Sequence, residues 1–345
     1  MDRDRRICTT MPTRILLVGA GAIGAFYGSR LAAASNTLVS ALCRSNFAAV
    51  KSKGLRVTSP NYGDSTFWPE HTFASPVEAR KANLRWDYLV VATKALPEVS
   101  DDSALLEGLV SEDSSVVLIQ NGIGIEEAYR KRFPRANVLS AVTIASCAQP
   151  EPGVIKHNRW TKIDVGPYQP DGDNQTGEAD RQTKELVGML REAGIKDAEA
   201  RSHEDLQFLR WHKIAINATM NPSAVLSGGA GNRELAMDPE LAIHAKGVME
   251  EVLSAAPAIL GKSLPPWLAT PEQVLQSVSK NTSGSRPSMW QDWEAGRRME
   301  LEVILGNPVR MAREKGLGMP RVQSMYALLK KAQEKREGER KGAKL

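Results

Sequence analysis

The chain has 345 residues, 42% hydrophobic and 25% charged, a soluble globular composition with room for about two domains. Its 45 basic and 40 acidic side chains leave a net charge of +5, partly in the tail 330–344, which is too mild to imply a nucleic-acid partner. No apolar run approaches the roughly 20 residues that cross a membrane, and the three scattered cysteines, Cys8, Cys43 and Cys147, lack metal-ligand or redox spacing and fit a reducing, cytoplasmic compartment.

The leader 1–12 is polar, carries Asp2 and Asp4, and suits neither a secretory signal nor a mitochondrial presequence; Met11 offers a second start. Residues 15–18 form a short β-branched and apolar run. Gly19, Ala20, Gly21, Ala22, Ile23 and Gly24 then spell G-x-G-x-x-G, and a helical run follows. The spacing predicts a strand, a tight turn and a helix whose first N–H groups receive a dinucleotide pyrophosphate. Gly19 allows the turn, Gly21 lets phosphate approach the backbone, and Gly24 lets the helix lie on the strand.

A second strand over 38–43 ends in Arg44, Ser45 and Asn46. An acid usually stands here to hold the ribose 2′-hydroxyl of NAD. A cation there favours the 2′-phosphate of NADP instead; the alternative is an Arg capping the next helix. A short helix over 47–53 and a strand over 55–58 lead to a turn-rich stretch, 61–75. Strands over 88–92 and 116–119 are followed at once by Lys94 and by Asn121-Gly122. Ligands bind beyond the carboxyl ends of such strands, although a lysine cap and an Asn-Gly turn are ordinary loop chemistry.

A further strand covers 138–145, with a turn at 150–153 and a hairpin of 154–157 with 161–165. Residues 170–176 read as a loop. From there the pattern is helical, over 181–193, 204–219, 238–260, 271–281, 289–315 and 321–336. The change predicts an α/β domain over 14–176, an all-α domain over 177–336, and flexible termini over 1–13 and 337–345.

In the run 206–222 most positions are apolar, but Lys213, Asn217 and Asn221 recur every four residues. Successive members turn by about 40°, so they form one narrow polar stripe. Pro222 is expected to end the helix. The stripe either lines a substrate cleft with Lys213 as proton donor or faces water. Later, Ser288 is placed to cap a helix and bind an anion, and Glu300 is one acid among several. Five scattered histidines supply no ligand pair, so no metal is expected.

Taken together the motifs resemble the ketopantoate reductase family over about residues 14–330. They are Gly19 to Gly24, Cys43-Arg44-Ser45, Thr93-Lys94-Ala95, Gln120 to Gly124, Trp211 to Asn217, Asn221-Pro222, Gly231 to Leu235, Ser288 to Asp292 and Arg297 to Glu302. The resemblance implies an α/β Rossmann-type domain joined to a helical domain like that of 6-phosphogluconate dehydrogenase, with the active site between them. It implies NADPH-dependent reduction of 2-dehydropantoate to pantoate, in coenzyme A synthesis. Lys213 matches the family's proton donor. Asn121, Asn217, Asn221 and Asn232 match residues around substrate, and Ser288 the residue near its carboxylate. Arg44 and Lys94 match cofactor contacts, and Glu300 an acid at the junction of cofactor and substrate.

The last motif departs from the family pattern: Val303 and Leu305 stand where Tyr and Asn are usual. The departure leaves room for a paralogous reductase of another branched 2-oxo acid. A regulatory protein that binds NADP without turnover would keep the glycines and Arg44 but not need Lys213. Monomer and homodimer are both compatible with the sequence.

Overall fold

The computed structural model describes residues 11–170, 177–282, 284 and 286–342. Cys8, most of the leader, the loop residues 171–176 and Ser285 lie outside them. The chain divides into two compact units.

The first unit comprises the residues up to Thr93, Asp102–Gln120 and Glu126–His203. Its elements in chain order are β1 (Thr13–Val18), α1 (Ala22–Leu31), β2 (Thr37–Leu42), α2 (Phe47–Lys53), β3 (Leu55–Thr58), β4 (Ser65–Phe67), β5 (Thr72–Phe73), α3 (Pro76–Lys81), β6 (Tyr88–Val91), a 3₁₀ turn (Asp102–Leu106), β7 (Ser115–Leu118), α4 (Glu127–Arg132), β8 (Asn137–Glu151), β9 (Val154–Pro167), α5 (Glu178–Glu192) and β10 (Ala198–Ala200). The sheet order is β4-β3-β9-β8-β7-β6-β1-β2-β5, with β10 beside β9. From β5 to β8 every pairing is parallel. Strands covered on both faces read as continuous apolar runs: Ile15 to Val18 and Leu89 to Val91 are all buried.

Three expectations are corrected here. Residues 154–157 and 161–165 do not pair with each other; they form one strand, β9, antiparallel to β8. The interruption is a bulge, where Ala145 faces Thr161, Ser146 faces Arg159, and the extra residue Trp160 takes φ +57°. The stretch 61–75 contains β4 and β5, too short to show a period. Helix α5 belongs with the sheet, because Ala179, Leu186, Val187 and Leu190 share its core. The compact division therefore falls after His203 rather than at 176/177.

The second unit comprises Lys94–Asp101, Asn121–Ile125 and the residues from Glu204 onward. Its helices are α6 (His203–Leu226), α7 (Asn232–Met237), α8 (Pro239–Leu260), α9 (Pro271–Ser279), α10 (Ser288–Glu294), a π-helical turn (Glu302–Gly306), α11 (Asn307–Glu314) and α12 (Pro320–Gly342). Pro222 does not end α6 but lies inside it. Proline removes a single backbone donor, and the surrounding residues 218–225 are all buried, so packing outweighs the lost bond. The helix expected over 289–315 is broken, with Gly296 at φ +64°. Helix α12 runs to Gly342, past the expected fraying point at 337. Glu337 there pairs with Arg298, and the Arg336 guanidinium stacks on Trp293 at 3.9 Å and donates to its carbonyl. No helix among the described residues is long and apolar enough to cross a membrane.

Candidate active site

In the first unit the glycine loop joins β1 to α1. Gly19 has φ +97°, and a Cβ on it would lie 2.9 Å from Thr93. A Cβ on Gly24 would lie 2.2 Å from the Gly19 carbonyl oxygen and 2.8 Å from Ala92, so the close packing of helix on strand requires glycine. Gly21 differs: a Cβ there would meet nothing within 4 Å. It is the cap residue of α1, and no side chain caps the helix. The site thus offers uncapped N–H groups beside open space, which fits an anionic phosphate.

Two side chains hold this loop. Asn46 Nδ2 donates to the Ala20 carbonyl at 2.8 Å, and Gln149 Nε2 to the same oxygen at 3.3 Å. Asn46 is buried, whereas Arg44 beside it is exposed and makes no side-chain hydrogen bond or ion pair among the described residues. The Arg44 guanidinium is therefore available to a ligand and is not spent on a helix cap.

In the second unit the loops that follow β6 and β7 carry Lys94 and Asn121. Lys213, on α6, donates from Nζ to Asn121 Oδ1 at 2.9 Å. Asn121 Nδ2 makes a long 3.5 Å contact with Glu300 Oε2, and Glu300 Oε1 accepts from the Ala95 N–H at 3.0 Å. Lys94 pairs with Asp292, a buried carboxylate that also accepts from Arg297 at 2.9 Å. Burial pushes the Lys213 ammonium down to about 8; the nearby Arg210 charge acts in the same sense, and Glu300 opposes both. Burial also raises the Glu300 carboxyl above the usual range, against the Ala95 N–H, Lys94 and Asn121.

The loop around Asn121 is held from three sides. Arg210 Nη1 donates to the Gly122 carbonyl at 2.9 Å, the Ile123 N–H to the Val303 carbonyl at 2.9 Å, and Asn307 Nδ2 to the Ile123 carbonyl at 2.7 Å. Gly122 has φ +109°, and a Cβ on it would come within 2.4 Å of Val303. The π-helical turn is thus what the loop rests on. Val303 and Leu305 in that turn are buried, Leu305 with no exposed surface.

The structure brings Lys94, Asn121, Lys213 and Glu300 into one cluster. Asn217 is partly buried and Asn221 is buried; neither side chain hydrogen-bonds among the described residues. Asn232, at the start of α7, has its Oδ1 buried without a partner. The stripe on α6 is thus buried at Asn221 and partly buried at Lys213 and Asn217. Ser288 does not cap a helix: Pro287 holds the cap position, and Ser288 is the exposed first residue of α10. Sequence reasoning assigned no role to Asp292, Arg210 or Asn46. Only Arg210 carried a hint, as a charge three residues before Lys213 in an apolar run. No group of side chains among the described residues could hold a metal ion.

The family described as Ketopantoate reductase PanE/ApbA matches residues 15–170, and its C-terminal counterpart, Ketopantoate reductase PanE/ApbA C terminal, matches 205–333. A solved 2-dehydropantoate 2-reductase from Methylococcus capsulatus is 33% identical with a TM-score of 0.80, covering 94% of this chain and 97% of that one. An uncharacterized protein of Saccharomyces cerevisiae is 29% identical, covering 96% of each chain. A 2-dehydropantoate 2-reductase of Nostoc is 28% identical, covering 91% of this chain and 93% of its own.

Proposed function

This chain belongs to the ketopantoate reductase family, and on that premise we propose that it reduces 2-dehydropantoate to pantoate with NADPH, a step toward coenzyme A. Membership makes it an oxidoreductase acting on a CH–OH group, a 2-dehydropantoate 2-reductase or a related 2-oxo acid reductase that uses NAD(P)H. The finer choices rest on Arg44 for NADPH and, for 2-dehydropantoate, on the relatives that are 2-dehydropantoate 2-reductases.

Bound NADPH would supply the hydride. Gly19 to Gly24 would hold its pyrophosphate and Arg44 its 2′-phosphate, with Lys94 and Glu300 proposed as further cofactor contacts. Lys213 Nζ gives a proton to the alkoxide that forms as the carbonyl is reduced. Asn121 keeps that ammonium aimed by accepting from it at 2.9 Å. The amides of Asn217 and Asn221 are proposed to donate to the oxygens of the substrate, the unpartnered Asn232 Oδ1 to accept from its hydroxyl, and the Ser288 hydroxyl to contact its carboxylate. Glu300 lies at the same cluster, its carboxyl raised by burial above the usual carboxylate range.

The observation that carries this reading is Lys213, depressed to about 8 and held on Asn121. A proton donor works best when its pKa lies near the working pH. The test is NADPH oxidation with 2-dehydropantoate and a panel of branched 2-oxo acids. Turnover of 2-dehydropantoate supports the reading. Efficient turnover of another oxo acid alone favours the paralogue. Tight NADPH binding without turnover of any acid favours a regulatory role. Homodimer formation is a separate proposal, decided by sedimentation of the same preparation.

A further inference from the structure

We propose that Arg210 is a positioning residue for the reaction, which holds the loop bearing Asn121 and sets a fixed positive charge beside the Lys213 ammonium. The inference rests on Lys213 being the proton donor. Arg210 lies one turn before Lys213 on α6, so the two side chains are neighbours on one helix face. It is buried, with 3% of its surface exposed, and arginine keeps its proton even there. Its Nη1 donates to the carbonyl of Gly122, the residue after Asn121, at 2.9 Å. One guanidinium thus fixes the acceptor of the Lys213 ammonium and sets a second positive charge beside it.

Arg210 faces Lys213 from its own helix and disfavours the ammonium, while Glu300, from the segment before the π-helical turn, favours it. Lys94 and Asp292, paired with each other, act on Glu300 rather than on Lys213. Asn121 is neutral. Removing the Arg210 charge should therefore raise the pKa of Lys213, and removing only its fork should leave that pKa alone.

The experiment uses the full chain, reductively methylated with ¹³C-formaldehyde. The Lys213 resonance is assigned by its absence in Lys213→Arg and titrated by NMR. Arg210→Met should move the midpoint upward by at least about half a pH unit, and the alkaline limb of kcat should move with it. Arg210→Lys should keep the midpoint and lose about threefold or more in kcat/KM, because a point charge replaces the planar fork. An unchanged midpoint in Arg210→Met overturns the inference. If that variant does not fold, Arg210→Lys decides, and unchanged kcat/KM overturns it. A shifted midpoint in a protein that reduces no oxo acid would refute the proton-donor reading and leave the coupling standing; turnover with an unshifted midpoint would refute the inference alone.

Discussion

Lys213 Nζ and Asn121 Oδ1 meet at 2.9 Å although 92 residues separate them in sequence. The lysine comes from a mostly buried helix and the asparagine from the loop after β7. Both belong to the second compact unit, because residues 121–125 leave the sheet and pack on the π-helical turn. The bond gives the ammonium a fixed direction in surroundings that disfavour its charge.

Turnover should track the protonation of that lysine. Reduction needs Lys213 charged, so kcat should be flat at lower pH and fall as pH rises through about 8. Lys213→Ala should cost about 10²-fold or more in kcat. Lys213→Arg should not restore it, since guanidinium does not release its proton. NADPH affinity, read by fluorescence, should change little, because the glycine loop and Arg44 belong to the other unit. Near-native turnover by Lys213→Ala would end the catalytic assignment.

Gly21 and Gly24 should fail in different ways. A side chain at Gly21 enters open space, so Gly21→Val should melt near the wild-type temperature and lose NADPH binding. Gly24→Ala puts a methyl against the Gly19 carbonyl and Ala92, and overpacking of that kind costs about 1–3 kcal/mol. Its melting temperature should drop. Calorimetry and cofactor titration on both variants check the pair; full NADPH affinity in Gly21→Val would contradict the pyrophosphate placement.

Arg44 should decide between the two nicotinamide cofactors. Its side chain is exposed and unpaired among the described residues, so removing it disturbs no contact of the fold. Arg44→Ala should weaken NADPH by about tenfold, the worth of one charge-assisted contact, and leave NADH nearly unchanged. Equal losses for both cofactors would mean that the 2′-phosphate is held elsewhere.

Leu305 should matter for stability rather than for substrate choice. Its side chain has no exposed surface and packs within the turn. Leu305→Asn would bury an amide without partners, at a cost of about 1–3 kcal/mol. The melting temperature should fall while the ratio of kcat/KM values across the oxo-acid panel stays constant. A reordered panel would show that this position selects the substrate.

The sequence by itself determined the glycine turn and the apolar strands on either side of it. These are local: chain geometry at Gly19 and Gly24 and burial on both sheet faces leave their mark within a few residues. The four-residue stripe of Lys213, Asn217 and Asn221 was legible for the same reason, being the period of one helix. The rest depended on partners distant in sequence. Whether Pro222 stops α6 was decided by the packing of residues 218–225, which outweighs one missing N–H. Where 154–167 pairs was decided by β8, and the bulge at Trp160 disguised one strand as two. The tail beyond 336 reads as frayed until Arg298 meets Glu337. Above all, tertiary structure placed Arg210 against Gly122 and Lys213 against Asn121. Those contacts fix the direction and the acidity of the lysine, because desolvation and neighbouring charge exist only once the chain has folded.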